Sequence, residues 1–110
     1  MDSIQFSDCA KACLVCSLTC TTCASACLQE EKVEMMRECI SRCLECSDIC
    51  MLCAKALQQE SLFLAELCQV CAKICDRCTE ECIKHASEHC QQCAETCHQC
   101  AIECRRMAAV

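Results

Sequence analysis

The segment from Cys68 to Cys82 reads Cys68-Gln-Val-Cys71-Ala-Lys-Ile-Cys75-Asp-Arg-Cys78-Thr-Glu-Glu-Cys82. Its cysteines follow one another at intervals of three, four, three and four residues, which is the spacing of the inner positions of a heptad repeat. On a helix these thiols therefore lie along one stripe. Three further runs keep the same alternation, and the four runs hold all 21 cysteines of the 110-residue chain. The other three runs are Cys9, Cys13, Cys16, Cys20, Cys23, Cys27; Cys39, Cys43, Cys46, Cys50, Cys53; and Cys90, Cys93, Cys97, Cys100, Cys104.

The breaks between the runs predict four separate helices, because none of them continues the heptad register. We expect helix 1 from about Ser3 to Leu28 and helix 2 from about Val33 to Gln58. Ser61 is the expected N-cap of helix 3, which carries His85 beyond Cys82 on the same stripe. Ser87 is the expected N-cap of helix 4, which ends near Met107.

The connections between these helices are short, so neighbouring helices must run antiparallel. The predicted fold is all-α, an antiparallel up-down-up-down four-helix bundle with a cysteine-lined core. A chain of this length forms one domain, residues 1–110.

The predicted topology gives the two ends of the bundle different side chains. One end collects an apolar plug of Phe6, Leu57, Leu64 and Met107. The other end collects soft or borderline metal ligands. These are Cys27, Met36, Cys39, Cys82, His85 and Cys90, with Met35 and His89 close by.

Composition argues against several classes of function. The net charge of -6, two Phe and no Tyr or Trp argue against nucleic-acid binding. The chain has no Gly, so it has no phosphate-cradling loop. No apolar run suggests a membrane span, and the first eight residues do not resemble a secretory signal. We therefore expect a protein of the reducing cytoplasm without a membrane or nucleic-acid partner.

Disulfides and simple packing explain the cysteines poorly. The cysteine count is odd, and thiols at i,i+3 or i,i+4 on one helix have Cβ atoms about 5–6 Å apart, wider than the ~3.8 Å of a disulfide. Leu or Ile in their place would bury more apolar area and stabilise the core more. Metal binding is the better interpretation.

Charge selects the metal. Thiolates favour Cu(I), Zn(II) and iron–sulfur clusters. A zinc ion held by four thiolates leaves two negative charges in the core, whereas each Cu(I) that displaces one thiol proton leaves the charge unchanged. The sequence thus predicts storage of many Cu(I) ions and no enzymatic activity. The alternatives are a zinc or mixed-metal thiolate detoxification protein and a thiol redox buffer.

All 21 cysteines are candidate metal ligands. His85, His89 and Met36 are further candidates at the ligand-rich end, whereas His98 occupies an outward heptad position. A second apolar set lies off the thiol stripe and either widens the core or forms a homo-oligomer interface. It comprises Leu14, Leu18, Ile40, Leu44, Met51, Leu67, Val70 and Ile74.

The runs Glu45-Cys46-Ser-Asp-Ile-Cys50 and Lys84-His85 through His89-Cys90-Gln-Gln-Cys93 resemble the cytosolic copper storage proteins, four-helix bundles whose inward cysteines hold many Cu(I) ions. The resemblance covers nearly the whole chain. It implies that Cu(I) is loaded through the His/Met end and held mainly by cysteine. It also implies a homotetramer. The expected partners are copper ions and a copper chaperone or a small thiol donor.

Overall fold

The computed structural model describes residues 3–109 as a four-helix bundle with extents of 50 × 27 × 17 Å. The helices are α1 (Asp8–Leu28), α2 (Arg37–Gln59), α3 (Leu64–Cys82) and α4 (Glu88–Ala108), and a 3₁₀ helix, Val33–Met36, precedes α2. Helix α1 contacts α2 and α4, and α3 contacts the same two helices. Successive helices run antiparallel, so the predicted up-down-up-down bundle is confirmed.

Helix α1 begins five residues later than the sequence predicted. Ser7 is its N-cap, and the Ser7 hydroxyl accepts a hydrogen bond from the backbone N–H of Ala10 at 3.1 Å. Asp8 in the first turn carries a charge that the helix dipole favours. The start at Ser3 was therefore wrong, because a capping serine further along the chain ends the non-helical segment.

The connection between α2 and α3 turns without glycine. Glu60 adopts the left-handed conformation, with φ 52° and ψ 50°, and the N–H of Ser61 reaches back to the carbonyl of Ala56 at 3.0 Å. This is the hydrogen-bonding pattern that often ends a helix at glycine. The Ser61 hydroxyl accepts from the N–H of Phe63, but Phe63 and not Ser61 is the N-cap of α3, so the predicted N-cap was wrong.

Small polar side chains join α1 to α2 beside the core. The Ser17 hydroxyl donates to the carbonyl of Ser47 at 2.9 Å, and the Ser47 hydroxyl donates to the carbonyl of Ser17 at 2.9 Å. Thr21 adds a contact to the Ser47 hydroxyl at 2.7 Å. These short side chains satisfy one another and let the two helices approach closely.

Helix α1 is long and apolar enough, by length and composition, to cross a membrane, which the sequence reading did not anticipate. Its apolar character comes largely from six cysteines, and all six lie buried inside the bundle. A buried core helix passes the same test. The apolar character of α1 therefore reflects the cysteine content of a helix in the core of the bundle.

Candidate metal centre

The heptad spacing places every cysteine in the interior. All 21 are unpaired, and the most exposed of them, Cys9, shows only 3% of its surface. Ordinary cores of this size are filled by Leu, Ile, Val and Phe. Here those residues contribute only partly buried side chains around the thiols, among them Leu14, Ile40 and Ile74.

The sulfur atoms form a continuous path along the bundle. Sγ–Sγ contacts of 3.5–3.9 Å lead from Cys23 at the ligand-rich end to Cys9 at the other end. These distances are far longer than the ~2.05 Å of a disulfide bond. In order, the path passes Cys23, Cys90, Cys39, Cys82, Cys43, Cys93, Cys20, Cys97, Cys16, Cys46, Cys75, Cys50, Cys100, Cys13, Cys104 and Cys9.

The thiols also group into sets of four whose sulfur atoms all lie within 4.8 Å of one another. One set is Cys16, Cys20, Cys46 and Cys97, and it shares two members with the set Cys16, Cys46, Cys50 and Cys75. Because neighbouring sets share thiols, they cannot all hold separate four-coordinate ions at once. The arrangement favours metal ions that share bridging sulfur atoms.

Burial opposes the ionisation of three thiols near the ends of the core, Cys27, Cys68 and Cys90. Desolvation, with the nearby Cys39 thiolate, raises the pKa of Cys27 to about 11. The same two effects raise the pKa of Cys68, next to Cys53, and of Cys90, next to Cys39. A metal ion that binds here must therefore displace protons from these thiols.

The ligand-rich end, which we call the mouth, holds His89 against three thiols. Its Nδ1 lies 3.4 Å from Sγ of Cys23, 3.5 Å from Cys90 and 3.9 Å from Cys27. Its other ring nitrogen, Nε2, lies 3.2 Å from Oε2 of Glu30. His89 is thus placed between the thiol core and a carboxylate in the turn after α1.

The other two non-cysteine candidates lie near the mouth in different settings. Met36 is 5% exposed and belongs to the buried core cluster. His85 does not extend the helical stripe, because α3 ends at Cys82. Its Nε2 lies 2.9 Å from Oε2 of Glu81, and its carbonyl accepts from the side chain of Gln91. The predicted helical placement of His85 was therefore wrong.

The opposite end is only partly plugged as predicted. Leu57, Leu64 and Met107 pack against the cysteine core, whereas Phe6 precedes α1 and is 48% exposed. Phe6 instead lines a surface groove with Ala10 and Leu14. The late start of α1 explains the difference, since Phe6 is not on a helix that could turn it inward.

Glu30 is the mouth residue that sequence reasoning missed. It lies in the predicted turn Gln29-Glu-Glu-Lys, where an acidic side chain has no periodic pattern to mark it. Its carboxylate also accepts from the Ser87 hydroxyl, whose oxygen lies 3.1 and 3.2 Å from Oε1 and Oε2. Ser87 occupies the N-cap position of α4 as predicted, but its hydroxyl makes no cap hydrogen bond.

A helical bundle with a continuous thiol interior and a histidine at one end defines a class, the thiol-lined bundles that can hold many soft metal ions. The sequence profile of the copper storage protein family matches residues 2–109. The Cu(I)-bound copper storage protein BsCsp3 is 45% identical to this chain, with a TM-score of 0.88 over 91% of this chain and 94% of its own. The chain belongs to the copper storage protein family.

Two further solved structures support this assignment. The metal-free copper storage protein 3 of Bacillus subtilis is 45% identical, with a TM-score of 0.87 over 91% of this chain and 95% of its own. A cytosolic copper storage protein from Streptomyces lividans, loaded with five coppers, is 35% identical, with a TM-score of 0.90 over 93% and 90%. A comparison with curated proteins finds no match.

Proposed function

We infer that this chain stores Cu(I) as thiolate-bound ions inside a single domain formed by residues 1–110. The observation that carries this inference is the unbroken path of sulfur atoms from Cys23 to Cys9. Its structural relatives include a Cu(I)-bound copper storage protein and one loaded with five coppers. The role is retention of the ion, and no catalytic step is assigned to it.

Charge favours copper over zinc in this core. Each four-thiolate zinc site would leave two negative charges among side chains that are almost fully buried. Overlapping sets of thiols would also compete for their shared sulfur atoms. Cu(I) accepts shared thiolates, and its single charge replaces that of the displaced proton, so the interior stays neutral as it fills. Nothing in the comparisons favours the zinc alternative.

The proposed ligands are all 21 cysteines, with His89, His85 and Met36 at the mouth. His89 supports this proposal most directly, because its Nδ1 already lies against three thiols. The Met36 thioether is buried in the same cluster. His85 is proposed as a ligand at the rim, beside Glu81.

Copper would reach the mouth from a copper chaperone or a small thiol complex in the cytoplasm. The cytosolic relative from Streptomyces lividans supports this location. Cu(I) would then exchange inward between neighbouring thiolates, since each step of the sulfur path is shorter than 4 Å.

We also propose that the chain assembles as a homotetramer. Leu18, Leu44 and Val70 from the second apolar set are 63%, 51% and 46% exposed. Leu14, Ile40 and Ile74 of the same set pack against the cysteine core, so these three widen it. The exposed members form the candidate interface, because large apolar side chains exposed on a surface favour burial against another protein.

Anaerobic titration of the metal-free protein tests the storage function. With Cu(I) we expect uptake that approaches roughly one ion per cysteine, with a competing chelator in solution and without loss of the helical circular dichroism signal. With Zn(II) we expect weaker uptake. Zinc saturation at about one ion per four cysteines, with weaker copper binding, would overturn the proposal.

Two double variants in the same titration test the sulfur path. Cys16 and Cys97 lie in the middle of the path. Their sulfur atoms contact Cys20 and Cys93 on the side of the mouth and Cys46 on the other side. Cys16→Ser/Cys97→Ser should lower capacity and slow the later phase of copper uptake. The matched control Cys53→Ser/Cys68→Ser removes two thiols, 3.5 Å apart, that lie beside the path. It should lower capacity without slowing uptake, and equal rates in both variants would contradict inward exchange.

A further inference from the structure

We propose that Glu30 is a positioning residue that holds the imidazole of His89 with Nδ1 facing the thiols of the mouth. In this orientation His89 presents a nitrogen lone pair beside Cys23 and Cys90 to an arriving Cu(I) ion. The inference rests on the proposed storage function for its purpose. Its geometric part concerns the metal-free protein and can be tested without copper.

The hydrogen bonds fix which ring nitrogen carries the proton. A carboxylate can only accept hydrogen bonds, so Nε2 of His89, 3.2 Å from Oε2 of Glu30, must be the donor. In the neutral ring, Nδ1 then has no proton and can accept from a thiol. The Cys23 and Cys90 sulfur atoms, at 3.4 and 3.5 Å, lie on that side of the ring.

Glu30 is itself held in place by the N-cap residue of α4. The Ser87 hydroxyl donates to the carboxylate, with its oxygen 3.1 and 3.2 Å from the two carboxylate oxygens. A serine at an N-cap ordinarily uses its side chain to satisfy a helix N–H, and that of Ser87 does not. The hydroxyl thus ties the turn after α1 to the start of α4 through the carboxylate that orients His89.

The orientation matters because His89 lines a depression on the protein surface next to Cys23. His89 and Cys23 line a surface depression of about 210 Å³ between α1 and α4. Its other lining residues are Leu18, Thr19, Thr22 and Gln92. A ring pinned by Glu30 offers an ion in this depression a nitrogen next to Cys23, whereas a freely turning ring would offer it only part of the time.

Removal of the Glu30 carboxylate should weaken the first step of copper binding. For Glu30→Ala we expect about a tenfold loss in affinity for the first Cu(I) equivalents, the lower end of the effect of residues that orient a metal ligand. Glu30→Gln should give a smaller loss. The amide oxygen can still accept from Nε2, but the amide N–H can also donate to Nε2 and so favour the other tautomer. Glu31→Gln is the matched control, since it removes the same charge from an exposed neighbour and should bind copper as the wild type does.

Nitrogen NMR of the metal-free protein at about pH 8, above the ordinary titration range of imidazole, reads the orientation directly. We expect Nε2 of His89 to carry the proton and Nδ1 to be unprotonated in the wild type. In Glu30→Ala we expect the ring signals to report motion or a mixture of tautomers. A proton on Nδ1 in the wild type would overturn the proposal, whatever copper binding shows.

A double-mutant cycle separates positioning from a structural role. If Glu30 acts through His89, Glu30→Ala should have no further effect on the first copper equivalents in the His89→Ala background. An equal loss in both backgrounds would show that Glu30 acts through the turn itself and would overturn the proposal. Failure of the wild type to retain Cu(I) would overturn the storage function, while the NMR result would still decide the orientation of the ring.

Discussion

Each cysteine in this core is both a small apolar side chain and a weak acid. As an apolar side chain it packs against its neighbours, with Sγ–Sγ distances as short as 3.5 Å between Cys20 and Cys97. As an acid it stays neutral where burial disfavours the thiolate, and the raised pKa values of Cys68 and Cys90 show this effect. Burial therefore favours the neutral form of these two thiols in the metal-free protein.

The stability of the metal-free protein should fall in alkaline solution. The folded state holds the Cys27 proton up to a pKa of about 11, above the ordinary value of 9.0, so the unfolded state loses this proton first as pH rises. The thiol's contribution is fully present below about pH 9 and is lost between about pH 9 and pH 11. Denaturant unfolding under anaerobic conditions across this range measures the decline.

Two comparisons check that the thiols cause this decline. Copper-loaded protein should show little loss over the same range, because its thiol protons are already displaced. Cys27→Ala should decline less steeply than the wild type, since one titrating group is gone. A free energy of unfolding that stays constant up to pH 11 would contradict the raised pKa of the buried thiols.

At the residue scale the sequence could predict the thiols but not their partners at the mouth. The inward placement of Cys16 or Cys75 follows from helical periodicity alone. The contact between Glu30 and Ser87 joins residues that are 57 positions apart. It depends on the conformation of the turn after α1, and no local sequence pattern predicts that conformation. The structure also places His89 against the thiols, whereas the sequence predicted His85 on the thiol stripe and His89 only beside it.

At the element scale, helix α2 ends without the glycine that commonly closes a helix. Glu60 closes α2 in the left-handed region, where a side chain with a Cβ is strained and glycine is not. The hydrogen bonds from Glu60 and Ser61 to the last turn of α2 offset this strain. The left-handed conformation of Glu60 therefore lowers the stability of the folded state somewhat.

Glu60→Gly should stabilise the protein. We expect a gain of about 1 kcal/mol, because glycine adopts the left-handed conformation without the steric cost that other residues carry. The midpoint of denaturant unfolding should rise accordingly. Glu60→Ala is the control, since it removes the carboxylate but keeps the Cβ, and should give no such gain. A loss of stability with glycine would mean that the Glu60 side chain supports the turn.

Helix interiors were easier to predict than helix ends. The heptad runs identified the four helices α1 to α4, but the start of α1 at Asp8 depended on a cap by Ser7, which the sequence analysis had placed inside the helix. The end of α3 at Cys82 has no glycine or proline to mark it, so the helix was extended through His85 in error. Caps depend on a few hydrogen bonds, which a periodic pattern does not register.

At the scale of the whole molecule, the exposed apolar side chains lead to a prediction about assembly. Light scattering should give a mass near four times 12.2 kDa for the wild type. Leu18→Glu/Leu44→Glu should lower this mass, because charges would be buried without partners at the interface. Ser25→Glu adds a charge to an exposed position of α1 and should leave the mass unchanged. A wild type that scatters as a single chain would refute the tetramer.

The sulfur path has a consequence for the order in which cargo leaves. It runs from the mouth, at Cys23, to the end where Leu57, Leu64 and Met107 pack against the core. Ions that enter at the mouth reach the thiols around Cys23 first and those around Cys9 last, so the ions bound near the mouth would be the first to leave. Such a protein would hold one fraction of its ions near the mouth, where they exchange quickly, and another deeper in the core, where they exchange slowly. Both fractions would be bound mainly by sulfur atoms.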